Sequence, residues 1–170
     1  MALDLLDNGK LFKQKDVRET KVSTTIENSR IRATRGTVQS IANNTWTKVQ
    51  INTEVYDTLS EYDNVTDYRF KAKTDGYYLI TAAVGTQAAT WDADEGITIS
   101  LYKNGIAYAY EKIYMNANSV ANIGLTISIS DVFYLKADEY IEVWVLQDQG
   151  AAVNLIGAGE YNHLTIHRLS

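Results

Sequence analysis

The chain has 170 residues, 16 Lys or Arg against 21 Asp or Glu for a net charge of −5, and neither cysteine nor proline. That length fits one domain with a short extension, and such a domain buries roughly 70% of the surface its unfolded chain exposes, so a core forms without staples. Disulfides and thiolate metal sites are excluded, and the turns fall to Gly, Asn, Asp and Ser.

Charge divides the chain near Gly36. Residues 1–35 hold eight basic and five acidic side chains, net +3, whereas residues 36–170 hold eight and sixteen, net −8. Lys10, Lys13, Lys15, Arg18, Lys21, Arg30, Arg32 and Arg35 are interleaved with few regularly spaced apolar residues, and no heptad persists beyond one or two turns. Residues 1–35 therefore read as an arm. It is either a solvated terminus or a docking peg that orders on an acidic partner. The first ten residues lack the basic start and apolar run of a signal peptide, and no eighteen consecutive apolar residues occur, so neither a cleaved leader nor a membrane span is expected.

Beyond Gly36 the period becomes two. Residues 36–41 lead to an Ala42-Asn43-Asn44 turn, and residues 45–51 place Val49 and Ile51 on one face. An irregular acidic loop covers 57–67. Thr74-Asp75-Gly76 suits a tight turn in which glycine supplies a positive φ, after which Tyr78, Ile80, Ala82 and Val84 share a strand face. Residues 91–96 form a second acidic loop, and Ile97, Ile99 and Leu101 then alternate with polar neighbours. Asn104-Gly105 closes a hairpin, since a type I′ turn needs positive φ at both positions. Leu125, Ile127 and Ile129, then Ile141, Val143 and Val145, and finally Leu164 and Ile166 mark three more strands. Short strands without a ten-residue amphipathic helix predict an antiparallel β-sandwich.

Residues with chemistry to offer are sparse. His163 and His167 lie four apart, roughly 13 Å along a strand, too far to share one zinc ion. Asp92, Asp94 and Glu95 offer hard oxygens for calcium, but their spacing fails the EF-hand pattern and a solvated loop is the plainer reading. There is no Gly-x-Ser-x-Gly elbow and no cysteine, and neither histidine has an orienting carboxylate in sequence, so no catalytic residue and no cofactor are expected. The run Gly157-Ala158-Gly159 lacks the Lys-Ser/Thr of a phosphate cradle, and an acidic head opposes nucleic acid.

An aromatic residue, five residues, then Gly-x-Tyr-x-aliphatic runs from Phe70 to Ile80. This segment resembles the globular heads of complement C1q and their tumour necrosis factor-like relatives, including small phage fibre and head-appendage domains. Further landmarks follow in the family's order between Arg32 and Leu169. They are the opening at 39–49 with Glu54-Val55-Tyr56-Asp57, the Leu101 to Gly105 hairpin, Leu135 to Val143, and Tyr161 to Leu169. One departure is Asp138-Glu139, where the family usually has Gly-Asp, so another turn geometry is expected there.

The resemblance implies an all-β jelly roll over 36–170, a homotrimer and a virion location. The chain is then expected to be a non-enzymatic structural protein of a tailed phage: a head fibre, capsid decoration or short tail or neck fibre. The arm would dock on capsid, neck or tail proteins and the head would be exposed, with a host-surface glycan as a further partner. The alternative is a soluble carbohydrate-binding or ligand-type recognition module of cellular origin. Twelve tyrosines serve either strand propensity or an interface. The outward aromatics Tyr77, Tyr102, Tyr108, Tyr110, Tyr134, Trp144 and Tyr161 are the expected subunit interface, because Tyr and Trp are enriched at such surfaces.

Overall fold

Wherever apolar and polar residues alternate, the chain is extended. The computed structural model describes residues 28–116 and 120–170. Within them lie β1 (Arg30–Thr34), β2 (Gln39–Ile41), β3 (Thr47–Lys48), β4 (Thr53–Asp57), β5 (Tyr62–Asp63), β6 (Arg69–Lys71), β7 (Gly76–Gly85) and β8 (Ala89–Trp91). There follow β9 (Gly96–Lys103), β10 (Ile106–Tyr114), β11 (Val120–Ile123), β12 (Thr126–Leu135), β13 (Tyr140–Gln147), β14 (Val153–Leu155) and β15 (His163–Arg168), with no helix among the described residues.

Two antiparallel sheets carry the structure, one ordered β12-β7-β15-β1-β4 and the other β10-β9-β13-β6-β5 with β3 beside β13. The pairs β8–β11 and β2–β14 form two small further sheets. The facing sides supply the core. Ile31, Tyr78, Ile80, Val84, Phe133, Leu135, Leu164 and Ile166 come from the first sheet, and Phe70, Ile97, Ile99, Leu101, Ile141, Val143 and Val145 from the second. Each large side chain buried this way stabilises the fold by about 1.5–3 kcal/mol. Phe70 and Tyr78, the two aromatics of the sequence signature, meet at 5.5 Å between ring centroids. The fold is therefore an all-β jelly-roll sandwich.

Three sequence expectations need correction. The head does not start at Gly36: β1 lies inside the first sheet, between β15 and β4, with Ile31 and Ala33 buried. Arg30, expected as a docking residue, opens that strand and donates its N–H to Thr58 Oγ1 at 2.9 Å. Arg35 is also part of the head, only 4% exposed, its guanidinium donating to the Gln50 and Val38 carbonyls. Burial holds that guanidinium below its usual range. Lys10, Lys13, Lys15, Arg18 and Lys21 lie outside the described residues.

Gly76 does not need a positive φ. It is buried at the start of β7, where a Cβ would come within 2.2 Å of Ser170 O and 2.7 Å of Arg168 Nε. Close approach of Ser170 and Arg168, rather than turn handedness, demands glycine. At the other unusual turn Asp138 takes φ 72°, so the aspartate adopts the left-handed conformation itself. The Asn104-Gly105 hairpin is as expected, with φ of 52° and 78°.

Candidate functional site

The structure does not bring the seven outward aromatics together. Tyr77 and Tyr134 oppose each other on β7 and β12, with rings 5.2 Å apart edge to face, on the outer side of the first sheet. Beside them Val132 opposes Leu79, then Ser130 opposes Thr81 and Ser128 opposes Ala83, and the row continues through Thr165 and His163 of β15. Tyr77, Tyr134 and Val132 remain 45–52% exposed, and Leu169, whose N–H binds Tyr77 O, is 54% exposed. One end of this outer face is therefore apolar and the rest is small and polar.

Tyr102, Trp144 and Tyr110 occupy the opposite surface, the outer side of the second sheet. Register places Tyr110 and Trp144 on either side of Ser100. Tyr102 stacks on Trp144 at 4.8 Å and meets Trp46 at 6.0 Å. Beneath them Glu142, 4% exposed, accepts from Lys48 Nζ at 2.5 Å and from Trp144 Nε1 at 3.1 Å. Lys48 also lies 5.7 Å from the Trp144 ring centroid. The cluster is thus internally paired: its carboxylate, cation and indole N–H satisfy one another. Tyr108 sits at the β10 bulge against Phe133 at 4.6 Å, and Tyr161 lies in the loop before β15, against Gly85.

The second acidic loop closes on itself. Glu95 Oε2 accepts the Asp92 N–H at 2.7 Å, while Asp94 N–H binds Met115 O and Asp94 takes φ 69°. No group of three His, Cys, Asp or Glu able to hold a metal occurs among the described residues. His163 and His167 share the outer side of β15. Burial, with Arg32 adding to it, pushes the His163 imidazole below its ordinary range, against opposing backbone contacts from Glu160 and Gly159.

Sequence reasoning passed over the two buried carboxylates, Glu61 and Glu142. Glu142 leaves one trace, an acid set between Ile141 and Val143 of an otherwise apolar run, but its cation stands 94 positions away at Lys48.

No family model and no curated protein matches the sequence. Solved structures do match the fold. The Eiger TNF of S. frugiperda aligns with TM-score 0.62 at 10% identity, covering 84% of this chain and 93% of that one. Murine APRIL at pH 5.0 aligns with 0.59 at 16% identity, covering 84% and 100%. The globular domain of zebrafish complement 1qA protein aligns with 0.57 at 11% identity, covering 84% and 98%. At these identities the likeness is one of fold, and that fold is the C1q/TNF-like jelly roll.

Proposed function

We propose that the chain is a non-enzymatic, homotrimeric structural protein of a tailed-phage particle, a head fibre, capsid decoration or short tail or neck fibre. Its basic arm docks on capsid, neck or tail proteins and its jelly-roll head faces outward toward the host surface. The observation that carries self-association is the exposed apolar end of the first sheet, where Tyr77, Tyr134, Val132 and Leu169 gather on a regular antiparallel surface. Such a patch on a small domain marks an interaction surface. Virion placement draws on the sequence landmarks shared with phage appendage domains and on the switch from net +3 to net −8 along the chain.

The test joins two measurements. Light scattering of the full chain at micromolar concentration gives a trimer mass, and a stable folded monomer of 19.1 kDa overturns the assembly. Removing residues 1–27, upstream of β1, leaves a soluble trimer that no longer co-sediments with particles lacking the appendage. Undiminished binding by the truncated head overturns the docking role.

The second reading is a cellular recognition module, favoured by fold neighbours that are animal TNF and complement proteins. Capsid and tail genes beside this gene argue for the phage reading, and their absence argues for the cellular one.

A further inference from the structure

The turn between β9 and β10 is Asn104-Gly105, with both residues exposed to water and φ of 52° and 78°. The type I′ turn requires this pair for its backbone conformation. The same pair has a chemistry of its own. With no side chain beside it, the Gly105 amide nitrogen is open to attack the Asn104 carboxamide, which lies at the distance along the chain that closes a five-membered ring.

In the folded protein that carboxamide is engaged elsewhere. Asn104 Oδ1 accepts the Tyr140 N–H at 2.9 Å, its Nδ2 donates to Glu139 Oε1 at 3.1 Å, and its own N–H donates to Tyr140 O at 3.0 Å. The second oxygen of Glu139 accepts from Lys103 Nζ at 2.8 Å and from the Lys136 N–H at 2.8 Å. Lys103 first, and the Lys136 N–H after it, hold this carboxylate below its usual range, so the acceptor facing Asn104 is charged and the hydrogen bond is of the stronger kind. Closing the ring requires the carboxamide to rotate out of these bonds.

We propose that Asn104 is a site of spontaneous deamidation, gated by its clamp on Glu139 and Tyr140. The Gly105 nitrogen bonds to Asn104 Cγ, the Cγ–Nδ2 bond breaks, and ammonia leaves with the proton of the Gly105 N–H. Water then opens the succinimide. Addition at Cγ gives aspartate and addition at the main-chain carbonyl gives isoaspartate, each with a new carboxylate and no change of oxidation state. Either product undoes the clamp. A carboxylate in place of Nδ2 turns the hydrogen bond to Glu139 into a contact between like charges. Isoaspartate also lengthens the main chain by one atom, which the two-residue turn does not accommodate. The clamp thus protects the hairpin while it is closed, and the modification records the time that the turn spends open.

The experiment holds the full-length protein in mildly alkaline buffer at body temperature and follows Asn104 by peptide mass mapping, with enzymatic methylation marking isoaspartate. In urea Asn104-Gly105 converts as fast as Asn8-Gly9, the other Asn-Gly pair of the chain, and at least tenfold faster than in the folded protein. Glu139→Ala raises the folded-state rate severalfold, whereas Glu139→Gln, which keeps an oxygen for Asn104 Nδ2, stays near the wild-type rate. Should Glu139→Ala fold poorly, the wild type in buffer and in urea decides the matter alone. Equal rates in buffer and urea overturn the gate, as does a wild-type rate in folded Glu139→Ala, and no conversion of Asn104 in urea overturns the site.

Discussion

Tyr77 and Tyr134 face each other across β7 and β12 with their rings at 5.2 Å and 65°, each about half exposed. Within one protomer such a pair contributes about 0.5–1.5 kcal/mol, too little to explain two large aromatics left toward solvent. If this is the self-association surface, Tyr134→Arg converts the trimer to a folded monomer by light scattering. Tyr110→Arg, on the opposite side of the sandwich, leaves the mass unchanged. Equal masses for wild type and Tyr134→Arg would place the interface elsewhere.

Asn162 is a buried polar staple. Its Oδ1 accepts the Gly85 N–H at 3.0 Å, its Nδ2 donates to Ile156 O at 2.6 Å, and its own carbonyl accepts the Arg35 N–H at 2.9 Å. Asn162→Ala strands two buried backbone groups at about 1–3 kcal/mol each. Calorimetry should show a fall in melting temperature of roughly 5–15 °C. A fall under 2 °C would mean that water replaces the amide.

Two glycines make a paired test. A Cβ on Gly96 would lie 1.9 Å from Ile113 O and 2.7 Å from Tyr114 Cα, so β9 and β10 would have to separate. At Gly36 the same atom meets only Thr53 Oγ1 at 3.8 Å, with no positive φ. Gly96→Ala should therefore destabilise by about 2 kcal/mol or more in urea titration, as backbone strain and lost ladder bonds do. Gly36→Ala should be neutral or stabilising by up to about 1 kcal/mol through the unfolded chain.

Much of the architecture is legible in the sequence because local pattern and burial coincide. In β7 the buried Tyr78, Ile80, Ala82 and Val84 are those the alternation marks, and Asn104-Gly105 encodes its turn in two residues. β1 is hidden by its charges. Ile31 and Ala33 do alternate with Arg30, Arg32 and Thr34, but two apolar residues among arginines read as arm until β15 and β4 flank them. Gly76 is illegible for another reason, since its constraint comes from Ser170, 94 positions on. Glu142 meets its cation 94 positions away at Lys48 and Glu61 its donor 12 positions on at Lys73, and neither pairing shows in a local period.

His163 gives a pH dependence. Because its imidazole is held below the ordinary range in the folded state, by burial first and Arg32 second, the unfolded chain takes up the proton first as pH falls. Stability is unaffected above about pH 6.5, declines below it, and stops declining once the folded state is protonated as well. Urea midpoints for wild type should drop between pH 7.5 and 5, and His163→Gln should flatten part of that drop. Parallel slopes for the two proteins would assign the effect to carboxylates.

Chelation gives a last check. With Glu95 turned onto the Asp92 N–H, the 91–96 loop is closed by its own backbone, so EDTA should leave the melting temperature unchanged. A calcium-dependent rise of many degrees would return Asp92, Asp94 and Glu95 to consideration as ligands.

The placement of β1 between β15 and β4 also sets an order of events during synthesis. Arg30 pairs with His167, and Arg168 N–H reaches back to Ser29 O at 3.0 Å, so strands far apart in the chain are side by side in the sheet. At about 5–20 residues per second, the ribosome exposes β1 several seconds before β15, one of its two neighbours, emerges. Until then β7 and β1 each present an unpaired edge to other nascent copies of the same chain. A polysome translating this message holds several such chains close together. Pairing β1 with another copy's β15 would use the same register as the correct fold, so this topology leaves strand exchange between nascent chains open.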